Sequence, residues 1–212
     1  HVDNLQSWGG VMLLVSNELD GSIIEVHSSE TSERLWFLLH SDMGPILVCV
    51  WYRPPAPGDI SSISTFEDEL SLLRDDAIGT LVVGDLNCHH SRWLRFSANV
   101  TTEGRALERC CLQAGLTQHV KEPTRGDYLL DLALSDLFGV TARALPYISD
   151  HRCVLVECTF KVDVLPSRAR SVWNFRSADW SAMSEHVASL DFSFIGLESV
   201  DAATHKLTQM LV

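Results

Sequence analysis

Short apolar runs punctuated by turn signals set the strongest constraint on this chain. They fall at residues 11–15, 23–26, 35–39, 46–52, 81–83, 129–134 and 153–160. Runs of this length, bounded by Gly, Pro, Asn and Ser, read as buried strands. The first four are separated only by turn-sized gaps such as 17–21 and 41–45. A parallel pair needs a crossover of a dozen or more residues, so this part is expected to be an antiparallel meander. A doubly wound sheet is thereby excluded.

Helical spacing enters between the later runs. Phe66, Leu70, Leu73 and Ala77 repeat every three to four residues across 63–77, behind Ser64 and Thr65, and lead into the run at 81–83. Leu107, Cys110, Cys111 and Ala114 do the same across 104–114, which ends at Gly115. The expected class is therefore α+β, with helices packed outside sheets. After Phe160 the character changes. Residues 161–176 hold four bases, one acid and Pro166, and two helical patterns follow from Asp179 and Val200. The expected organisation is a sandwich domain over 1–160, a basic linker over 161–176 and a helical segment over 177–212.

Composition removes several classes of function. With 46% hydrophobic and 21% charged residues, the chain is an ordinary globular one, neither disordered nor collagen-like. Its longest apolar stretch, 45–52, is far short of the roughly 18 residues a membrane span needs, so no membrane partner is expected. The net charge of −12 is unevenly spread: residues 87–127 carry six basic and four acidic side chains, and 161–176 are basic. A phosphate-binding face would lie in those stretches, although −12 also serves solubility alone. Six cysteines, Cys49, Cys88, Cys110, Cys111, Cys153 and Cys158, form no C-x-x-C pair, and reduced thiols of an intracellular protein are expected. The first residue is His1 and no leader peptide is visible, so the chain reads as a fragment.

Three polar clusters close predicted strands. In Gly84-Asp85-Leu86-Asn87-Cys88-His89-His90, Asp85 and Asn87 are two apart and share a face on extended backbone. A carboxylate beside a carboxamide offers a metal ligand or base next to a donor for a charged oxygen. The same run also suits a strand-ending Asx turn. In Ser149-Asp150-His151, carboxylate and imidazole can serve one site in different roles. In Leu130-Asp131-Leu132, a lone carboxylate interrupts an apolar strand and needs a partner, for which His151 is suited. Cys88-His89-His90 lacks the two spaced ligand pairs of a zinc site, and His89 and His90 are expected to shape the loop.

Taken in order, these clusters resemble the endonuclease/exonuclease/phosphatase family over roughly residues 9–160. Gly9-Gly10-Val11, Trp51-Tyr52-Arg53-Pro54-Pro55, the 84–90 run, Pro123-Thr124-Arg125, the 130–136 run and Ser149-Asp150-His151 look like the endonuclease domain of non-LTR retrotransposons. Trp173-Asn174-Phe175 with Ala178-Asp179-Trp180 resembles the connector that follows it before a reverse transcriptase. The resemblance implies a four-layer α/β/β/α sandwich of the deoxyribonuclease-I-like kind, cleaving a DNA phosphodiester with Mg²⁺ or Mn²⁺, in the nucleus. By the same resemblance, Asp85 would hold or activate the attacking water, and Asn87 and Tyr52 would hydrogen-bond the phosphate. Asp150 would help hold the metal, and His151, oriented by Asp131, would act on the phosphate. Arg53 and Arg125 stand nearest these motifs and would meet the DNA backbone, or else are solvated loop arginines.

The family pattern also places two strands and a metal-binding glutamate upstream of Gly9, where this sequence has only eight residues. The sandwich is therefore expected to lack its first strands and its principal upstream ligand. Glu18 and Glu25 come too late in the chain to replace that glutamate. Two other readings compete with a DNA endonuclease: a catalytically silent remnant that only binds nucleic acid or a partner, and a small-molecule phosphatase of the same family. A calcineurin-like metallophosphoesterase needs Asp-x-His and Gly-Asn-His-Asp/Glu elements, and neither occurs. Serine hydrolase, NTPase, dehydrogenase and zincin motifs are absent as well.

Overall fold

The computed structural model describes residues 10–162, 178–193 and 199–211. The chain divides into two compact units, residues 1–167 and 168–212.

The first unit is built on a six-stranded sheet. Strands β1 (Ile23–Ser28), β2 (Glu33–Ser41) and β3 (Gly44–Tyr52) form the expected antiparallel meander. Helix α1 (Ser61–Leu73) then carries the chain over to β4 (Gly79–Asp85), which pairs parallel with β3. Helix α2 (Thr102–Ala114) leads to the short β5 (Thr117–Gln118) and to β6 (Asp131–Ser135), giving the order β1-β2-β3-β4-β6-β5. A separate hairpin of β7 (Thr141–Tyr147) and β8 (Arg152–Glu157) forms the second sheet.

Strand parity assigns the two faces of the large sheet. Trp36, Cys49, Trp51, Val82, Leu132 and Leu134 face the helices, where they meet Ile63, Phe66 and Leu70 of α1 and Leu107, Cys110 and Cys111 of α2. Phe66 stacks on Trp36 and Trp51, with centroids 5.6 and 4.8 Å apart. The opposite face carries Phe37, Ile46 and Val48 beneath Leu13 and Phe160. It also carries Val83 and Ala133, in a core shared with Ala142, Val154 and Val156 of the hairpin. Helix, sheet and sheet layers are thus present, and the second sheet has two strands among the described residues.

Several elements differ from expectation. Residues 11–15 form no strand: Leu13 reaches the core, while Met12 and Leu14 point outward, with no strand among the described residues pairing with them. Strand β7 escapes the apolar-run criterion because Thr141 and Arg143 alternate with alanines. Helix α1 begins three residues before the Ser64–Thr65 signal, where the Asp59 side chain accepts from the Ser61 amide at 2.8 Å. Helix α2 is capped by Thr101, which accepts from the Gly104 amide, and ends at Gly115 in the left-handed conformation.

In the second unit, α3 (Trp180–Ser189) is capped by Asp179, which accepts from the Ala182 amide, and α4 (Val200–Leu211) follows. Both start where the helical patterns begin. Most of the basic linker, residues 163–176, lies outside the described residues, as does the Trp173-Asn174-Phe175 part of the connector motif. Lys161 and Val162 pair with the β2–β3 turn. All six cysteines are free thiols, and burial pushes those of Cys88 and Cys110 up to about 12, so they stay protonated. No helix among the described residues is long and apolar enough to cross a membrane.

Candidate active site

Sheet register assembles the site. On the face away from the helices, Glu33 of β2 is paired with Tyr52 of β3, and Asp85 of β4 with Asp131 of β6. The parallel register of β3 and β4, Val50 opposite Val83, brings Tyr52 level with Asp85. The Arg53 amide donates to the Asp85 carbonyl at 2.9 Å and closes that end of the ladder. Four polar side chains on four adjacent strands therefore form one row at the end of an otherwise apolar face.

Gly84 makes the row possible. A Cβ there would lie 1.8 Å from the Trp51 carbonyl oxygen, so only glycine lets β3 and β4 close up beside Asp85. Beyond Asp85 the chain turns at Asn87, whose left-handed φ of 45° is one that asparagine tolerates. The Asn87 amide donates to Asp85 Oδ1 at 3.3 Å, and its Nδ2 donates to the Arg53 carbonyl at 3.0 Å. The Asx turn and the polar pair are thus one structure.

His151 reaches the row from the β7–β8 turn. Its Nδ1 stands 2.8 Å from Asp131 Oδ2, the pairing expected from the sequence. With Nδ1–H donating to the carboxylate, the ring's second nitrogen, Nε2, is not held by that pair. Two further contacts fix this geometry. Thr124, fully buried, accepts from the amides of Leu130 and Asp131 through its hydroxyl and so sets the start of β6. The Arg152 amide donates to the Thr124 carbonyl at 2.7 Å, which ties the residue after His151 to the same segment. The Pro123-Thr124-Arg125 motif therefore positions both members of the Asp131–His151 pair.

The electrostatics of the row are strained. Burial pushes the Asp85 carboxyl above its ordinary range, and the charge of Asp131 pushes it further, against the opposing pull of His151 and Asn87. Burial also raises the Tyr52 phenol, with Asp85 and Glu33 adding to the effect, so Tyr52 stays a neutral donor. Asp85 faces the second carboxylate of Asp131, and two facing carboxylates also suit a hard divalent cation. Mg²⁺ takes one or two carboxylates and completes its shell with water and phosphate oxygens, and Asp85 meets that demand. No three His, Cys, Asp or Glu side chains converge as a ligand group among the described residues.

The other predicted residues fall into different places. Asp150 is exposed and forms an ion pair with Arg125 at 2.9 Å. Arg53 lies inside, 1% exposed, with its guanidinium on the carbonyls of Asn87, Ala56 and Asp59. It shapes the 54–59 loop from inside, where the sequence suggested an arginine either on the DNA backbone or solvated in a loop. His90 is buried: its Nδ1 accepts from the Trp93 amide and its Nε2 lies 3.1 Å from Glu108, so it shapes the loop. Sequence reasoning missed Glu33, whose carboxylate accepts from the Gly10 amide. Its place opposite Tyr52 was open to a period-two count along β2. It also missed the positioning role of Thr124.

A family model described as endonuclease-reverse transcriptase matches residues 46–155, just over half of the chain. The chain belongs to this family. Within it, the matched span runs from β3 to β8 and contains the whole row except Glu33. The endonuclease domain of TRAS1, a telomere-specific non-LTR retrotransposon, has a similar structure. Its TM-score is 0.51 at 15% identity, over 67% of each chain. A mannosyl-6-phosphatase of Bacteroides thetaiotaomicron aligns with TM-score 0.41 and 12% identity, over 58% of this chain and 55% of its own. CdtB, the biologically active subunit of cytolethal distending toxin, gives 0.38 and 12%, over 63% and 55%. No curated protein sequence matches. The likeness to the TRAS1 domain supports the deoxyribonuclease-I-like sandwich read from the sequence.

Proposed function

We propose that this chain is a divalent-metal-dependent phosphodiester hydrolase that nicks DNA, within a polypeptide that also carries a reverse transcriptase and works in the nucleus. Family membership supports the hydrolase class. The observation that carries the reading is the Asp131–His151 pair at 2.8 Å, which joins two sheets at the end of the row holding Asp85 and Tyr52.

In this reading a phosphate lies over the row. Asp85, with its raised proton affinity, takes up the proton of the attacking water. The Tyr52 hydroxyl and the second hydrogen of the Asn87 amide donate to nonbridging oxygens as charge builds on them. His151, in its protonated form and held by Asp131 through Nδ1–H, donates its Nε2–H to the phosphate or to the leaving oxygen. Asp150 would hold Mg²⁺ or Mn²⁺, which would supply Lewis-acid stabilisation of the phosphoryl oxygens. Asp150 becomes available to a metal as its ion pair with Arg125 opens, and Arg125 is then free to meet a backbone phosphate.

Incubation with supercoiled plasmid and Mg²⁺ tests this, with EDTA and Asp85→Ala in parallel. Nicking that disappears in both controls is expected. Phosphate release from a soluble ester with no nicking would mark a small-molecule phosphatase instead, and no hydrolysis by the folded chain would mark a silent remnant.

A further inference from the structure

We propose that Phe96 and Tyr128 form a stacking platform that holds a base of the DNA beside the scissile phosphate; this rests on the nuclease reading above. The platform lies in the loop between the Asp85–His90 run and α2 and in the turn before β6.

The loop is closed and pinned. The His90–Val100 bridge shuts its base, Ser91 donates to the Asn99 carbonyl, and Trp93 and Leu94 donate to the His90 carbonyl. At its tip, the Phe96 carbonyl accepts from the Leu129 amide at 3.1 Å, which fixes the tip against the residue following Tyr128. Phe96 is nevertheless 46% exposed and takes a left-handed φ of 59°. Phe96 and Asn87 are the two non-glycine residues with positive φ among the described residues, and the other belongs to the site. A bulky aromatic gains nothing locally from that conformation, and strain of this kind persists where an arrangement serves function.

Tyr128 is 44% exposed and stands edge-on to His89 with centroids 5.3 Å apart. Its backbone pairs with that of Arg125, in a turn two residues before Leu130 and Asp131. Both rings are thus anchored by backbone bonds to the segments that bear Asn87, Asp131 and Arg125. The Phe96 loop also carries two cations. Arg92 and Arg95 lie exposed in the same loop, with no ion pair among the described residues. Exposed rings interleaved with arginines match a nucleic acid chemically: the cations meet the backbone and the rings meet the bases. Such stacking tolerates any sequence because every base has a π-face.

The test uses the full 212-residue chain with a fluorescein-labelled DNA duplex in EDTA, so that binding is read without cleavage. Phe96→Gly removes the ring and also relieves the backbone, so its melting temperature should equal or exceed that of the wild type. Its affinity for DNA is expected to fall about tenfold, the scale of losing one stacked base. Tyr128→Leu should behave similarly, and Phe96→Trp should stay within about twofold of wild type because it preserves the π-face. A 2-aminopurine scan of the duplex should find one position whose fluorescence changes with the wild type but not with Phe96→Gly. Equal binding by wild type and Phe96→Gly would overturn the platform, whether or not plasmid nicking persists. Phe96-dependent binding without metal-dependent nicking would keep the platform and overturn the nuclease reading. Failure of the folded wild type to bind the duplex would overturn the platform outright.

Discussion

Two carboxylates on opposite faces of one sheet have been given opposite environments. On the helix side, burial would by itself raise the Glu69 carboxyl. Hydrogen bonds from Arg34 and Trp36, with the Arg34 charge, overcome that and hold it below its ordinary range. The Arg34 guanidinium lies 2.7 Å away, lodged against Trp51 and Phe66. On the other face, Asp85 is half-buried beside a second carboxylate and is pushed up. The first arrangement joins α1 to the sheet. The second stores unfavourable energy at the place where a cation and a phosphate are proposed to bind, which is how sites tuned for chemistry differ from sites tuned for stability.

The contrast predicts its own disruption, beginning with the largest effect. Glu69→Ala strands the Arg34 charge in the interior and should cost about 3–5 kcal/mol, measured by urea unfolding. Because the folded Glu69 binds its proton less tightly than the unfolded one, its contribution is present above the unfolded pKa. It should decline as pH falls through the folded pKa, and a wild-type stability that ignored pH there would refute the pairing. His151→Ala should lower plasmid nicking by about 10²–10⁴-fold with the melting temperature little changed, since the group acts on the reaction. Asp85→Asn should do the reverse to stability, abolishing hydrolysis while stabilising the fold by about 0.5–2 kcal/mol at neutral pH. Here the folded pKa is raised, so the penalty is complete above it and vanishes below the unfolded pKa. The advantage of the Asn variant in thermal melts should close over that window. Arg125→Ala removes an exposed pair and should change stability by only about 0–1 kcal/mol.

How much of this was legible in the sequence follows from the range of each interaction. The β1–β3 meander, α2 with its Gly115 end and the Asp131–His151 pairing could be read because apolar period, C-cap chemistry and the need of a buried carboxylate for a partner are local or nearly so. Strand β7 was not, since a hairpin covering one face with alanines leaves no apolar run. Residues 11–15 had the composition of a strand but find no partner strand among the described residues, and hydrogen bonding across strands is not a property of one segment. Arg53 followed the same logic. Its charge suggested solvent and phosphate, but the carbonyls that enclose it come from the 54–59 loop and Asn87, a set visible only after folding.

The in-register row has a further consequence for how the protein reaches its working form. Glu33, Tyr52, Asp85 and Asp131 come from four strands, and each faces outward from the helices only because its strand is aligned to the residue. Displacing any one strand by a single position would send its polar end among the aromatic side chains beneath α1 and α2, and would turn Trp51 or Val82 the other way. Errors of alignment therefore carry a large apolar penalty, and the interior acts as a proofreader of the chemistry at the sheet's edge.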